Sequence, residues 1–393
     1  MRRKAVFLGI LLVAMFVFIE TVCFFAGRFL RSKAVFYHPR YESTYAEYLE
    51  LRDPVVGWPM PASFGAGAVV LGEDREVFGG GRDEVGARIS PNFPDRIATP
   101  PRISVYGDSF AWSAEVDDEY AWPEVLSELV GERVDNFGVG GYGSDQALLR
   151  FLHNEHDGSE IVILTHLSEN LMRNLSQFRS IYAGSPNGLS FKPRFIPGDD
   201  ADELVLVPLP TIPPIEYADF VRRPENFLEH DEFVPGKPNG VLRLRFPYSV
   251  SVARSFRHHA ILARLRREPR YKQFYDPAHS ARGTQVTAGI LQRFYEETIS
   301  QSRLPLVVLI PSGLDLEYYR RTQKWPYEPL VDELSVRAVP FLDLGPAMDR
   351  AMGNRPVADY YSGQNTSRHN NAAGYALIAD LIYDYLVERS YLD

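Results

Sequence analysis

The chain has 393 residues, 45% of them hydrophobic and 24% charged, with a formal net charge of −9. This is the balance of a globular protein, long enough for one large domain with insertions or two modest ones, and the acidic excess argues against a general nucleic-acid binder. Cys23 is the lone cysteine, so outside the N-terminal apolar segment there is no disulfide and no cysteine metal site.

Ala5 to Gly27 is almost wholly apolar and follows Arg2-Arg3-Lys4. As a helix it would be roughly 34 Å long, enough to cross the hydrocarbon core of a bilayer. Glu20 is its one costly residue. A cleaved signal peptide would have a shorter apolar core, about 7–15 residues, and an A-x-A-like site after it. The expectation is therefore an uncleaved anchor over residues 1–30, a single pass with the N-terminus inside and the body extracytoplasmic. Residues 31–101 read as a stalk and extension: 34–61 are aromatic and charged, and 62–101 are rich in glycine and proline, which predicts turns and brief strands.

From residue 102 a strand–helix–strand rhythm takes over and runs to 393, interrupted by an insertion at about 180–300. Ile103 to Tyr106 is an alternating β-branched and aromatic strand that stops at Gly107-Asp108-Ser109. A helix starts at Trp122-Pro123-Glu124, where proline and an acid suit the free N–H groups of a first turn. Arg133 to Phe137 reads as a strand, broken by Gly138-Val-Gly140-Gly141-Tyr142-Gly143. A helix with Leu148, Leu149, Phe151 and Leu152 follows, and Ile161 to His166 is a continuous apolar strand of the parallel-sheet kind. Residues 180–247 carry many prolines and glycines. Residues 249–268 look helical and basic, and Thr287 to Gln301 helical again. Leu306 to Ile310 is a strand, 326–337 a helix, Val339 to Leu344 a strand, and Ala372 to Glu388 a last helix. Alternation of this kind predicts a flavodoxin-like three-layer α/β/α fold with a parallel sheet of about five strands.

Ser109 follows a strand and a glycine turn, the place where an open α/β sheet binds ligands; by itself this stretch reads first as a helix cap, since Gly-Asp-Ser is common by chance. Three later stretches give it company in fixed order: Gly140-Gly141-Tyr142-Gly143, then Ser168-Glu169-Asn170-Leu171, then His369-Asn370-Asn371-Ala-Ala-Gly374. With these four blocks the sequence resembles the SGNH (GDSL-like) hydrolase superfamily over about residues 100–178 and 303–388, in the layout of its membrane-anchored bacterial members. The resemblance implies a nucleophile at Ser109, a base at His369, and an oxyanion hole from the N–H groups of Ser109 and Gly141 with the Asn170 amide. Two blocks depart from the pattern. The usual Gly-x-Asn-Asp is Ser168-Glu169-Asn170-Leu171, and the acid expected three residues before the histidine is Thr366. Asp343 and Asp359 are the candidates for orienting His369 in its place; a backbone carbonyl is the alternative.

The chemistry these residue types suit is acyl transfer. A serine hydroxyl is a weak nucleophile until a base removes its proton, and histidine's ordinary pKa of about 6.5 suits that exchange. The implied activity is an extracytoplasmic esterase acting on an acyl, for instance O-acetyl, ester of a carbohydrate or cell-envelope polymer. An O-acyltransferase using the same site and a non-catalytic carbohydrate-binding or scaffold protein on a decayed site are the alternatives. No cofactor is implied, and His153, His156, His258 and His259 have no acidic partners at metal-binding spacing. His166, at a strand end, reads as a core residue.

Overall fold

The computed structural model describes residues 2–58, 81–183, 189–199 and 203–392, so the turns and strands expected between 62 and 80 lie outside the described residues. The chain forms two compact units. One gathers Met1–Ala46, Ser176–Ser190 and Pro210–Arg270; the other gathers Glu47–Leu175, Phe191–Leu209 and Tyr271–Asp393.

Among the described residues the larger unit contains seven strands: β1 (Ile103–Tyr106), β2 (Val134–Asn136), β3 (Ile161–Leu167), β4 (Arg194–Pro197), β5 (Leu204–Val207), β6 (Leu304–Ile310) and β7 (Phe341–Asp343). Five make a parallel sheet in the order β2-β1-β3-β6-β7, while β4 and β5 pair as a separate antiparallel hairpin. This is the flavodoxin-like order, whose direction of winding switches between β1 and β3. Successive residues of the strands face opposite layers. Ile103 and Val105 of β1, Ile161 and Ile163 of β3, and Leu306 and Val308 of β6 are buried with Trp122, Leu126, Leu344, Met348, Ile378 and Ile382. Those residues come from the helices Trp122–Val130, Leu344–Met352 and Ala372–Glu388. On the other face Tyr106 stacks on Phe137 at 5.1 Å and meets Phe151 at 5.5 Å, and Phe151 meets Phe294 of the helix Gly283–Ser300 at 5.4 Å. The result is three layers, as the alternation predicts.

Several elements differ from the sequence reading, among them the helix Leu344–Met352, which begins at the residue expected to end a strand. A helix at Gly313–Thr322 was not expected; Ser312 and Asp315 start it with a reciprocal capping box. The basic stretch 249–268 is not one helix but two, Tyr248–Ser255 and His259–Arg266, because His258 is extended and its Nδ1 caps the second helix through Ala260 N–H at 3.3 Å.

The smaller unit holds the 30-residue helix Arg2–Arg31, whose most apolar stretch has a mean hydropathy of 2.6 and is long enough to cross a membrane. The residues after it are packed. Tyr37 N–H donates to Leu242 O at 2.7 Å, the Tyr37 hydroxyl donates to Val221 O at 2.8 Å, and Tyr45 stacks on Tyr217 at 3.8 Å.

Candidate active site

Parallel pairing brings the loops that follow β1, β2 and β3 to one carboxyl edge. Gly107 ends β1 because nothing larger fits: a Cβ there would sit 2.0 Å from Thr165 Oγ1 and 2.7 Å from Ala111 Cβ. The short helix Ser109–Trp112 follows at once, with Asp108 as its cap accepting from Phe110 N–H at 2.8 Å. The second loop lies against this helix, since a Cβ on Gly138 would meet Trp112 N at 2.4 Å. Asn136 binds them together, donating to Ala111 O and accepting from Gly138 N–H, both at 2.9 Å. From the third loop, Arg173 donates to Asp108 Oδ2 and to Tyr142 O, each at 2.9 Å. Asp108 and Arg173 are both buried, a geometry in which an ion pair holds only if its remaining hydrogen bonds are also made. One arginine thus pins three loops.

Gly141 takes a left-handed φ of +83°, a conformation glycine adopts without the Cβ penalty other residues meet. Asn170 opens the helix Asn170–Asn174 after β3. It is buried, and neither end of its amide finds a hydrogen-bond partner among the described residues. A buried amide left unsatisfied costs about 1–3 kcal/mol, so it calls for a reason.

The fourth block reaches this edge from the far end of the sequence. Ser362 N–H donates to His369 O at 2.9 Å beside an antiparallel bridge between Tyr361 and Asn370. Asn371 then caps Ala372–Glu388, accepting from Gly374 N–H at 3.0 Å. So held, His369 Nε2 lies 2.8 Å from Ser109 Oγ, with the Phe110 ring 5.0 Å from the imidazole.

The other imidazole nitrogen meets an acid the sequence reading did not single out. Glu115 Oε1 is 3.3 Å from His369 Nδ1. The two acids expected from the sequence make other contacts. Asp343 is engaged elsewhere: its Oδ1 accepts from Tyr327 O–H and from Gly345 N–H, each at 2.9 Å. Burial pushes the Asp343 pKa up to about 6 despite those two bonds. Asp359 offers Asn371 its backbone carbonyl at 2.8 Å. Thr366 is buried against Gly313, where an added Cβ would come 2.7 Å from its own.

Glu115 reaches His369 from a tight turn. Ser113 and Glu115 both adopt left-handed φ values, +61° and +70°, each costing a side-chain-bearing residue about 1–2 kcal/mol. Arg88 holds that turn. Its guanidinium donates to Trp112 O, to Ser113 O at 3.0 Å and to Val116 O at 2.8 Å, and pairs with Asp118 at 2.6 Å. It also lies 4.8 Å from the Trp112 ring centre. Glu115 pairs with Arg368 at 3.1 Å. Partial burial raises the Glu115 pKa, but hydrogen bonds from Arg368, His369 and Ser362 together outweigh it and leave it below the ordinary glutamate value.

These four loops make a serine hydroxyl, an imidazole and a carboxylate in series. The chain is similar in structure to lipolytic proteins of the G-D-S-L family. A structure so described from Desulfitobacterium hafniense DCB-2 is 11% identical, with a TM-score of 0.34, over 72% of this chain and 97% of its own. One from Veillonella parvula DSM 2008 is likewise 11% identical, with a TM-score of 0.31, over 72% of this chain and 96% of its own. No protein-family profile and no curated protein matches the sequence.

His166 sits in the interior, as its strand position predicts. Its Nδ1 is 2.7 Å from Ser144 Oγ and its Nε2 3.0 Å from Tyr275 Oη; burial, and then the charge of Arg173, push its pKa down to about 3. It is a second serine–histidine pair, buried and neutral.

Proposed function

We propose that this chain is a serine esterase in which Ser109 is the nucleophile, His369 the general base and then acid, and Glu115 the residue that orients and charges the histidine. The observation that carries the reading is the series Ser109 Oγ, His369 Nε2 at 2.8 Å, and Glu115 Oε1 at 3.3 Å from Nδ1. Ser109 O–H donates its proton to Nε2 as Oγ attacks the acyl carbonyl, while the N–H at Nδ1 donates to Glu115, which stabilises the imidazolium that forms. The histidine then returns the proton to the departing alcohol, and a water repeats the sequence to free the acid. Donors for the oxyanion are the N–H groups of Ser109 and Gly141 and the amide of Asn170, which finds no other partner among the described residues, an observation that supports the assignment. The substrate class is an acyl ester, for instance O-acetyl, on a carbohydrate or cell-envelope polymer. Arg2–Arg31 tethers the enzyme to the membrane, with the body outside the cytoplasm.

A fluorophosphonate probe tests the assignment, because it reacts only with an activated serine. The full chain in detergent is expected to label, Ser109→Ala to lose labelling, and His369→Ala to react far more slowly. Equal labelling of Ser109→Ala would remove the nucleophile.

A further inference from the structure

We propose that residues 244–256 enter the bilayer beside the body-side half of the Arg2–Arg31 helix, docked on that helix through Glu20. The inference rests on reading Arg2–Arg31 as a retained membrane span.

Glu20 lies eight residues before Arg28, the first charged residue after it. Along a helix that is about 12 Å, most of the roughly 15 Å of hydrocarbon in one leaflet. A carboxyl group at such depth costs about 2.5–3.5 kcal/mol unless it is partnered. Glu20 is buried although its helix neighbours are exposed. Its oxygens accept from Tyr248 N–H, from Ser249 N–H at 3.3 Å and from the Ser249 hydroxyl. These groups open the helix Tyr248–Ser255, where an acid also meets the positive end of the helix dipole.

Further contacts run along the span. A Cβ on Gly27 would strike Leu244 Cδ1 at 2.5 Å, so that glycine makes room for it. Tyr248 packs on Phe24 at 5.1 Å, and Phe246 meets Phe16 edge-on at 6.2 Å. Leu244 and the Phe246 ring thus touch points eleven residues apart, about 16 Å along the span.

Irregular backbone survives at that depth only where its polar groups are satisfied from within, and several of those in this segment are. Pro247 has no N–H to lose. Arg245 N–H donates to Ser251 Oγ at 3.1 Å, the same hydroxyl donates back to Arg245 O at 2.7 Å, and Ser251 N–H donates to Pro247 O at 3.3 Å. The segment's outward-facing residues include Phe246 at 64% exposed, Val250 at 45% and Phe256 at 59%, with exposed Arg245 next to Phe246, whose long stem lets the guanidinium reach toward the headgroups. Phe246, Val250 and Phe256 continue the exposed apolar surface of the span. Exposed Arg254 and Arg257 stand at the far end of the helix, where eight residues give about 12 Å, enough to regain the headgroups.

The test places an environment-sensitive fluorophore on single cysteines of the full chain, reconstituted into phosphatidylcholine vesicles with doxyl-labelled acyl chains. Native Cys23 is the buried reference; in a Cys23→Ser background, Ile97→Cys is the aqueous one. Phe246→Cys and Val250→Cys are expected to be quenched like Cys23 and severalfold more than Ile97→Cys. Adding Glu20→Leu should reduce Phe246→Cys to the aqueous level. If Cys23 is quenched but positions 246 and 250 are not, the span stands and the insertion is overturned; a protein partner covering the patch would give that result. Loss of residue 23 by cleavage, or an unquenched Cys23, would overturn both. Unchanged quenching in Glu20→Leu would overturn the docking role of Glu20. Phosphonate labelling of Ser109 is independent of each outcome.

Discussion

Glu115→Gln is the substitution that probes the site most directly. It removes the charge, keeps the shape, and lets the new amide donate to His369 Nδ1, which favours the tautomer unable to accept the serine proton. In a serine protease the equivalent exchange costs about 10⁴ in kcat. The structure argues for less here. The two side chains are 17% and 22% exposed, they stand 3.3 Å apart, and Arg368 draws on the same oxygen at 3.1 Å. At that separation two unit charges interact by about 1.3 kcal/mol at a dielectric of 80 and about 5 kcal/mol at 20. Solvent contact and the competing arginine place the loss at about 2–3 kcal/mol, or roughly 30- to 160-fold in kcat. Steady-state hydrolysis of a chromogenic acetyl ester reads it, with KM expected to stay constant because Glu115 touches the base and not the substrate. Hydrogen bonds hold the Glu115 pKa below the ordinary glutamate value, so this carboxylate should add no separate limb to the pH–rate profile near neutrality. A kcat equal to that of the unmutated chain would refute the reasoning.

Arg88→Met should loosen the turn that carries Glu115 and lower kcat, with the loss in the double variant Arg88→Met/Glu115→Gln well short of the sum; full additivity in that cycle would separate the two residues. Asn170→Ala should lower kcat on the order of 10²–10³ while leaving the melting temperature unchanged or higher, because the amide it deletes has no partner among the described residues. Arg173→Met should cost about 3–5 kcal/mol in urea unfolding, since it strands Asp108 as a buried charge. Asp343 has its pKa raised from 3.8 to about 6 by burial, so the folded state holds its proton longer than the unfolded one. Stability should therefore fall as pH rises from about 4 to about 6, by up to about 3 kcal/mol. Asp343→Asn should lack that fall, which paired urea midpoints at either end of the window would show.

The parts of this architecture legible in the sequence are those that depend on period and on backbone punctuation. The continuous apolar run of β3 marks a strand covered on both faces, and Ser109, Gly141, Asn170 and His369 announce themselves by standing where strands end or helices begin. The Gly313–Thr322 helix was signalled by Ser312 and Asp315 at capping-box spacing, a cue obscured by the charged and aromatic sequence after it. Glu115 is different in kind. It is brought to His369 by left-handed φ values at serine and glutamate, not at glycine, so no residue type marks the turn. Arg88 and Arg173 act through backbone carbonyls and a buried aspartate, and nothing in a linear sequence says which carbonyl an arginine will reach. Glu20 looked like a cost within an apolar helix because its partner is 228 residues away.

Ser109 and His369 are separated by 260 residues. At about 5–20 residues per second of synthesis, the nucleophile emerges some 13–52 s before its base. Throughout that interval the proposed nucleophile has no proton acceptor, and for about the first quarter of it the Arg173 tie to Asp108 also awaits synthesis. On the proposed mechanism, competence would be conferred late in synthesis, when the segment carrying His369 closes onto the bridge at Tyr361 and Asn370 and the Ala372–Glu388 helix docks against the sheet. A chain interrupted earlier should then be inert toward esters, and phosphonate reactivity should report that translation has passed residue 369.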